Sequence, residues 1–152
     1  MSVAERIKEL GLVIPESRPA AQYVGAVQAG DLLFVSGTGP YQPDGAYITG
    51  KIGEDLAIED GQEAARLCAL ASLSYIQGAI GDLERVERFV KLLGFINSAS
   101  GFNQQHLVMN GASDLLISLF GERGRHARSA VGMFELPMNI AVEIEMIVQV
   151  KN

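Results

Sequence analysis

"RHARSAVGMFELPMNIAVEIEMIVQV" fills residues 125–150, and its second half decides how the chain is read. From residue 140 onward the apolar residues alternate: Ile140, Val142, Ile144, Met146 and Val148 share one face of an extended strand. Ala141, Glu143, Glu145, Ile147 and Gln149 share the other. Such a strand is buried on its first face. The plain account of its second face is a half-exposed surface whose carboxylates serve solubility. Ala141 and Ile147 weaken that account, because they flank Glu143 and Glu145 with apolar surface. The stretch opens on three cations, Arg125, His126 and Arg128, and Leu136-Pro137-Met138-Asn139 reads as a turn. A closing hairpin is therefore expected, with Glu143 beside the strand begun by Arg128. A buried carboxylate needs a partner, and Arg128 is the obvious one.

Working outward, the other elements alternate between the two periodicities. Ser2 followed by Glu5 forms the pattern of a capping box, which predicts a short helix over residues 1–11 with Val3, Ile7 and Leu10 on one face and Gly11 as its stop. Residues 23–27 and 32–36 are β-rich and flank Gln28-Ala29-Gly30-Asp31, a hairpin turn, and residues 47–52 form a short third strand. A helix opening at Asp60 and Glu63 carries a wide stripe of Ala, Leu and Cys68 before Gly78 and Gly81 end it. Residues 88–96 (RFVKLLGFI) predict a strand, with a bulge or a close backbone approach at Gly94. A second long helix is expected over residues 103–120, capped by Gly121.

Helices separated by strands in this order predict a single α+β domain, a mixed sheet with both main helices on one face. Nothing is left in the chain to cover the opposite face, so a homo-oligomer is expected. The 152 residues suffice for one substantial core. A net charge of −6 and the absence of Trp argue against nucleic acid as a partner, leaving the cluster of Arg123, Arg125, His126 and Arg128 as the one local basic patch. With no long apolar run and a mixed polar N-terminus, a cytoplasmic protein without membrane contact is expected. A single cysteine, Cys68, excludes an internal disulfide and reads as a small core residue.

Three stretches, YVGAVQAGDLLFVSG (23–37), RFVKLLGFI (88–96) and above all RSAVGMFELPMNIAVEIEMI (128–147), resemble the RidA, or YjgF, family, once labelled liver perchloric-acid-soluble endoribonuclease. The resemblance runs from Tyr23 almost to the C-terminus. It implies a chorismate-mutase-like fold, assembled as a homotrimer with sites at the subunit interfaces. The implied activity is hydrolysis of reactive enamines and imines to 2-keto acids and ammonia, without cofactor or metal. By position, the family's carboxylate-binding arginine falls on Arg128, its water-orienting glutamate on Glu143, and its pocket tyrosine and glycine on Tyr23 and Gly37. The cysteine of many members is Ala130 here, residues 121–127 (GERGRHA) form a longer loop, and the N-terminal helix is extra. These departures mark a divergent branch.

The residues suit that chemistry in their own right. An imino acid offers a carboxylate, which a guanidinium can clamp with two parallel hydrogen bonds, and an electrophilic carbon open to a water held by a carboxylate. His126 could hydrogen-bond the substrate, although a loop histidine is more often a surface group, and His106 reads as structural. Two other readings stay open. One is a non-catalytic trimer that binds small acids at Arg128; the other is an endoribonuclease built on the basic cluster.

Overall fold

The computed structural model describes residues 1–16, 18–19 and 21–151. Three helices and five strands follow one another as α1 (Val3–Glu9), β1 (Ala26–Ala29), β2 (Leu32–Thr38), α2 (Ile58–Ile80), β3 (Val86–Asn97), α3 (Gln105–Phe120), β4 (Ala127–Met133) and β5 (Val142–Val150). The strands form one mixed sheet in the order β1-β2-β5-β3-β4, parallel only between β3 and β4 and antiparallel elsewhere. The fold class is α+β, as the element order predicts.

Local chemistry sets the ends of the helices. Ser2 and Glu5 close the expected capping box, with Ser2 Oγ accepting from the Glu5 amide at 3.1 Å and the Ser2 amide donating to Glu5 Oε2 at 2.7 Å. Helix α1 then docks through buried Val3 and through Arg6 Nη1, which donates to the Leu119 carbonyl at 2.9 Å. Leu10 lies beyond its last turn and is exposed, so it does not share the buried face that the periodicity assigned to it. Helix α2 starts where the Ala57 amide donates to Asp60 Oδ2, continues through Gly78 and ends at Gly81, whose φ of +80° suits glycine.

Both long helices cover one face of the sheet. Their crossing depends on small residues: a Cβ at Gly111 would stand 1.9 Å from the Gln62 carbonyl oxygen, so the α2 and α3 backbones approach closely only because it is absent. At Gly94 on β3 a Cβ would fall 2.2 Å from Met109 Sδ, so a side chain of α3, and not another backbone, packs onto the strand there, and the pairing through Gly94 has no bulge. Phe89 is fully buried edge-on to Phe120, ring centroids 4.9 Å apart, and truncating it to alanine would cost about 3–5 kcal/mol. Cys68 is wholly buried in the same core, and burial pushes its thiol well above the usual range, which makes it inert.

The first strand lies at Ala26–Ala29 and not at residues 23–27, and two larger expectations also fail. Residues 47–52 make only isolated bridges, Tyr47 with Tyr41, Thr49 with Ile140, and Ile52 with Leu56 and Ser98, and form no strand. The closing hairpin does not exist either. β4 leaves α3 and runs parallel to β3 at the edge of the sheet, while β5 inserts between β2 and β3. The 134–141 connection is therefore a crossover past the end of β3, not a hairpin turn; Met138 and Asn139 within it take positive φ.

The register gives each cross-sheet row a face. One row runs Arg128–Leu92–Met146, and Leu92 and Met146 are buried beneath the helices. Another runs Val131–Phe95–Glu143, from the alternate positions that face away from the helices. Among the described residues no element covers that second face, on which Phe34 (45 % exposed) pairs with Ile147 and Val131 is 40 % exposed.

Candidate functional site

Glu143 stands where β2 bulges. Val35 pairs with Met146 but Thr38 pairs with Ile144, so β2 spends one extra residue over this interval, and the irregularity turns Gly37 toward the Glu143 side chain. A methyl group on Gly37 would lie 2.9 Å from Glu143 Oε2. Thr38, next along, is buried on the other side, with its hydroxyl donating to the Cys68 carbonyl at 2.9 Å and sharing a 2.8 Å hydrogen bond with Ser72. These bonds pin the bulge to α2. The bulge is thus a fixed platform under Glu143.

Above that platform lies a cavity of about 570 Å³, to which Gly37, Thr38 and Glu143 contribute together with Tyr23, Ile140 and Met138. Among the described residues, the half-buried Glu143 carboxyl makes no hydrogen bond or ion pair. Burial raises its pKa above the ordinary carboxylate value, and neighbouring Glu145 raises it further. An acid held up in this way, with its lone pairs uncommitted, is suited to holding a water and exchanging a proton with it. The rest of the wall is tyrosine: Tyr41, Tyr47 and Tyr75 join Tyr23, so all four tyrosines of the chain face one cavity. Arg18 and Glu16 stand at its rim, ion-paired at 2.6 Å and exposed.

Arg128 occupies a different corner. From β4 its guanidinium reaches α3, where Nη1 donates to Asn110 Oδ1 at 3.1 Å and to Ser113 Oγ at 3.0 Å, and Nη2 to the His106 carbonyl at 3.0 Å. His126 belongs to the same network, with Nδ1 2.6 Å from the Gly124 carbonyl and Nε2 2.9 Å from Ser113 Oγ. The neutral tautomer with its proton on Nδ1 satisfies every member, because Nε2 can then accept from the Ser113 hydroxyl. Burial lowers the His126 pKa, and the Arg128 charge lowers it too, which keeps the ring neutral. The Nε–H of Arg128 remains without a partner among the described residues.

The expected site residues thus separate into two groups. Glu143, Tyr23 and Gly37 meet in the cavity; Arg128 and His126 meet on α3. Arg128 and Glu143 form no ion pair within the chain, because β3 runs between their strands and the register sends their side chains to opposite faces. Nor does the basic patch form. Arg123 is ion-paired to Glu84 and Arg125 to Glu122, each at 3.0 Å, and Arg128 is spent on α3. Asn110 and Ser113, and the tyrosines beyond Tyr23, carry no signal in the sequence alone. Their role rests on which strands and loops adjoin.

The family model described as "YjgF/chorismate mutase-like, putative endoribonuclease" matches residues 4–149. Protein TCP17 of Trypanosoma cruzi is 47 % identical over 152 residues, spanning 99 % of this chain and 95 % of its own. The crystal structure of Atu1372 from Agrobacterium tumefaciens superposes with a TM-score of 0.91 at 44 % identity, covering 98 % of this chain and 94 % of that one. A Shewanella oneidensis protein described as a "putative endoribonuclease" superposes with a TM-score of 0.94 at 28 % identity, covering 99 % of this chain and all of its own (100 %).

Proposed function

The chain belongs to the YjgF/chorismate-mutase-like family, the family of the RidA proteins, and from that premise we propose that it hydrolyses reactive enamines and imines of amino-acid metabolism in the cytoplasm, yielding 2-keto acids and ammonia. The observation that carries the proposal is the half-buried Glu143 carboxyl, raised in pKa and without a partner among the described residues, in the wall of an open cavity.

The chemistry runs on that one group. An enamine first tautomerises to its imine. Glu143 then orients a water toward the imine carbon and takes one of its protons as the new C–O bond forms; the C=N pair moves to nitrogen, to which Glu143 passes that proton, giving a carbinolamine. Glu143 then takes the hydroxyl proton and hands it to the amine, the C–N bond breaks, ammonia leaves and the C=O bond closes. Proximity contributes several kcal/mol, and general-base assistance about a hundredfold more in rate.

The substrate carboxylate needs a cation, and here the reading depends on assembly. The uncovered apolar face of the sheet supports a homotrimer in which copies bury that face against one another. Arg128 lies on the edge strand with its Nε–H unpartnered among the described residues, which supports a role toward a second copy: Arg128 of one subunit, braced by Asn110 and Ser113, would clamp the carboxylate of a substrate in the next subunit's cavity. The endoribonuclease reading is weaker, since it needs free cations and Arg123 and Arg125 are neutralised by their glutamates.

The test generates an imine in place with an amino-acid oxidase and follows the semicarbazone formed from free imine. Wild type should remove imine faster than the blank, and Glu143→Gln and Arg128→Ala should each lose most of that acceleration. Wild type matching the blank while still binding keto acids would leave a non-catalytic small-acid-binding protein. RNA cleavage that survives repurification and responds to salt would favour the nuclease.

A further inference from the structure

Resting on the reading of this cavity as an imine hydrolase site, we propose that its four tyrosines make it selective for imino acids whose side chain carries a flat aromatic ring.

Size is the first argument. A cavity of about 570 Å³ belongs to the range that holds drug-sized ligands. A three-carbon imino acid, a few water volumes at about 30 Å³ each, would leave most of it empty. Composition is the second. The chain has 4 Tyr, 6 Phe and no Trp, yet every tyrosine lines this cavity and no phenylalanine does. An aliphatic substrate would be served by leucine and valine, which the core uses freely.

The rings also come from separate parts of the chain, so no local repeat explains their meeting. Tyr23 precedes β1, Tyr41 and Tyr47 lie on the connection between β2 and α2, and Tyr75 projects from α2. Two of them are seated on glycine. A Cβ at Gly25 would be 2.5 Å from Tyr75 Cδ1, and one at Gly39 would be 3.0 Å from Tyr47 Cε1. Tyr41 and Tyr47 stand edge to face, centroids 5.6 Å apart at 66°. A flat ring entering beside them meets ring faces and edges as partners.

The hydroxyls complete the case. Among the described residues, none of the four phenols hydrogen-bonds to the protein, so all remain available to a ligand or its water. Burial raises the Tyr75 pKa, and the nearby Tyr23 and Tyr47 raise it further, which keeps that phenol a neutral donor. Tyrosine presents an apolar body and a polar tip, a combination that fits a ring-bearing acid better than a purely aliphatic one.

The experiment compares imines made in place from phenylalanine, cyclohexylalanine and alanine. Wild type should show kcat/KM about tenfold or more higher for the phenylalanine imine than for either other, and Tyr47→Leu or Tyr75→Leu should lower that preference about 2- to 10-fold, the share of one aromatic contact. Equal kcat/KM for the phenyl and cyclohexyl compounds would overturn the proposal, because bulk and not the ring would then be read. A second arm titrates wild type calorimetrically with 3-phenylpropionate, 3-cyclohexylpropionate and propionate, none of which has a C=N bond. Tighter binding of 3-phenylpropionate without hydrolysis of any imine would support ring selectivity and sink the hydrolase reading. Hydrolysis of all three imines at one rate would do the reverse, and three acids that bind alike would overturn ring selectivity on its own.

Discussion

Two charged groups on the same sheet have opposite fates. Arg128, at the β4–α3 corner, has three hydrogen bonds to α3, and the chain around it is arranged so that Ser113 and a neutral His126 extend the network. Glu143, across β3, is half-buried and has none among the described residues, and burial, with neighbouring Glu145, raises its pKa. A satisfied charge stabilises the fold; an unsatisfied one costs stability and stays available to whatever enters the cavity. The pair shows that burial alone does not mark a site. What marks it is burial combined with an empty set of partners.

The largest expected effect breaks that comparison on the catalytic side. Glu143→Gln keeps the shape and removes the base, so imine hydrolysis should fall about a hundredfold with no loss of thermal stability. Arg128→Ala should do what Glu143→Gln does not and destabilise the fold: leaving Asn110, Ser113 and the His106 carbonyl without their donor costs about 1–3 kcal/mol, readable as a lower Tm or denaturant midpoint. An Arg128→Ala variant as stable as wild type would remove the structural half of the contrast. Gly37→Ala comes next. The nearest atoms to its Cβ would be Oε2, Cδ and Cγ of the flexible Glu143 side chain, so the fold should survive while the displaced carboxyl loses about tenfold in rate.

The smallest effects are in the pH dependence, and they have opposite signs. The ordinary Glu143 value of 4.5 is raised in the folded chain, so the native state holds that proton more tightly than the unfolded chain does. Its stabilising contribution is complete below 4.5 and disappears as pH rises through the higher native value. Wild type should therefore lose stability relative to Glu143→Gln over that interval. His126 runs the other way. Its native value lies below 6.5, so its contribution is present above 6.5 and is lost as pH falls through the lowered value; His126→Gln should remove that loss. Chemical denaturation at a series of pH values reads both.

The sequence made much of this legible, and unevenly so. Period-two alternation identified the buried face of β5 and placed Glu143 and Glu145 together on the other, as found. The capping box and the two long helices were equally readable, because caps and stripes are local. The β4–β5 hairpin was misread for the opposite reason. Pairing between strands depends on which neighbour each one finds, and a Leu-Pro-Met-Asn segment that turns a hairpin also serves a crossover past β3. The error placed Arg128 beside Glu143, whereas the register puts it on the other face. The cavity suffered likewise: Tyr23 was expected from family resemblance, while Tyr41, Tyr47 and Tyr75 converge only once the loop before α2 has folded over the bulge.

One feature of that cavity extends beyond chemistry. A chain without Trp owes its near-ultraviolet emission to tyrosine, and here every tyrosine borders the same space. The fluorophores and the binding cavity coincide, so light absorbed at 280 nm by the side-chain phenols of the whole protein reports on one location. The unmodified protein is its own optical sensor, able to register occupancy of the cavity without any label.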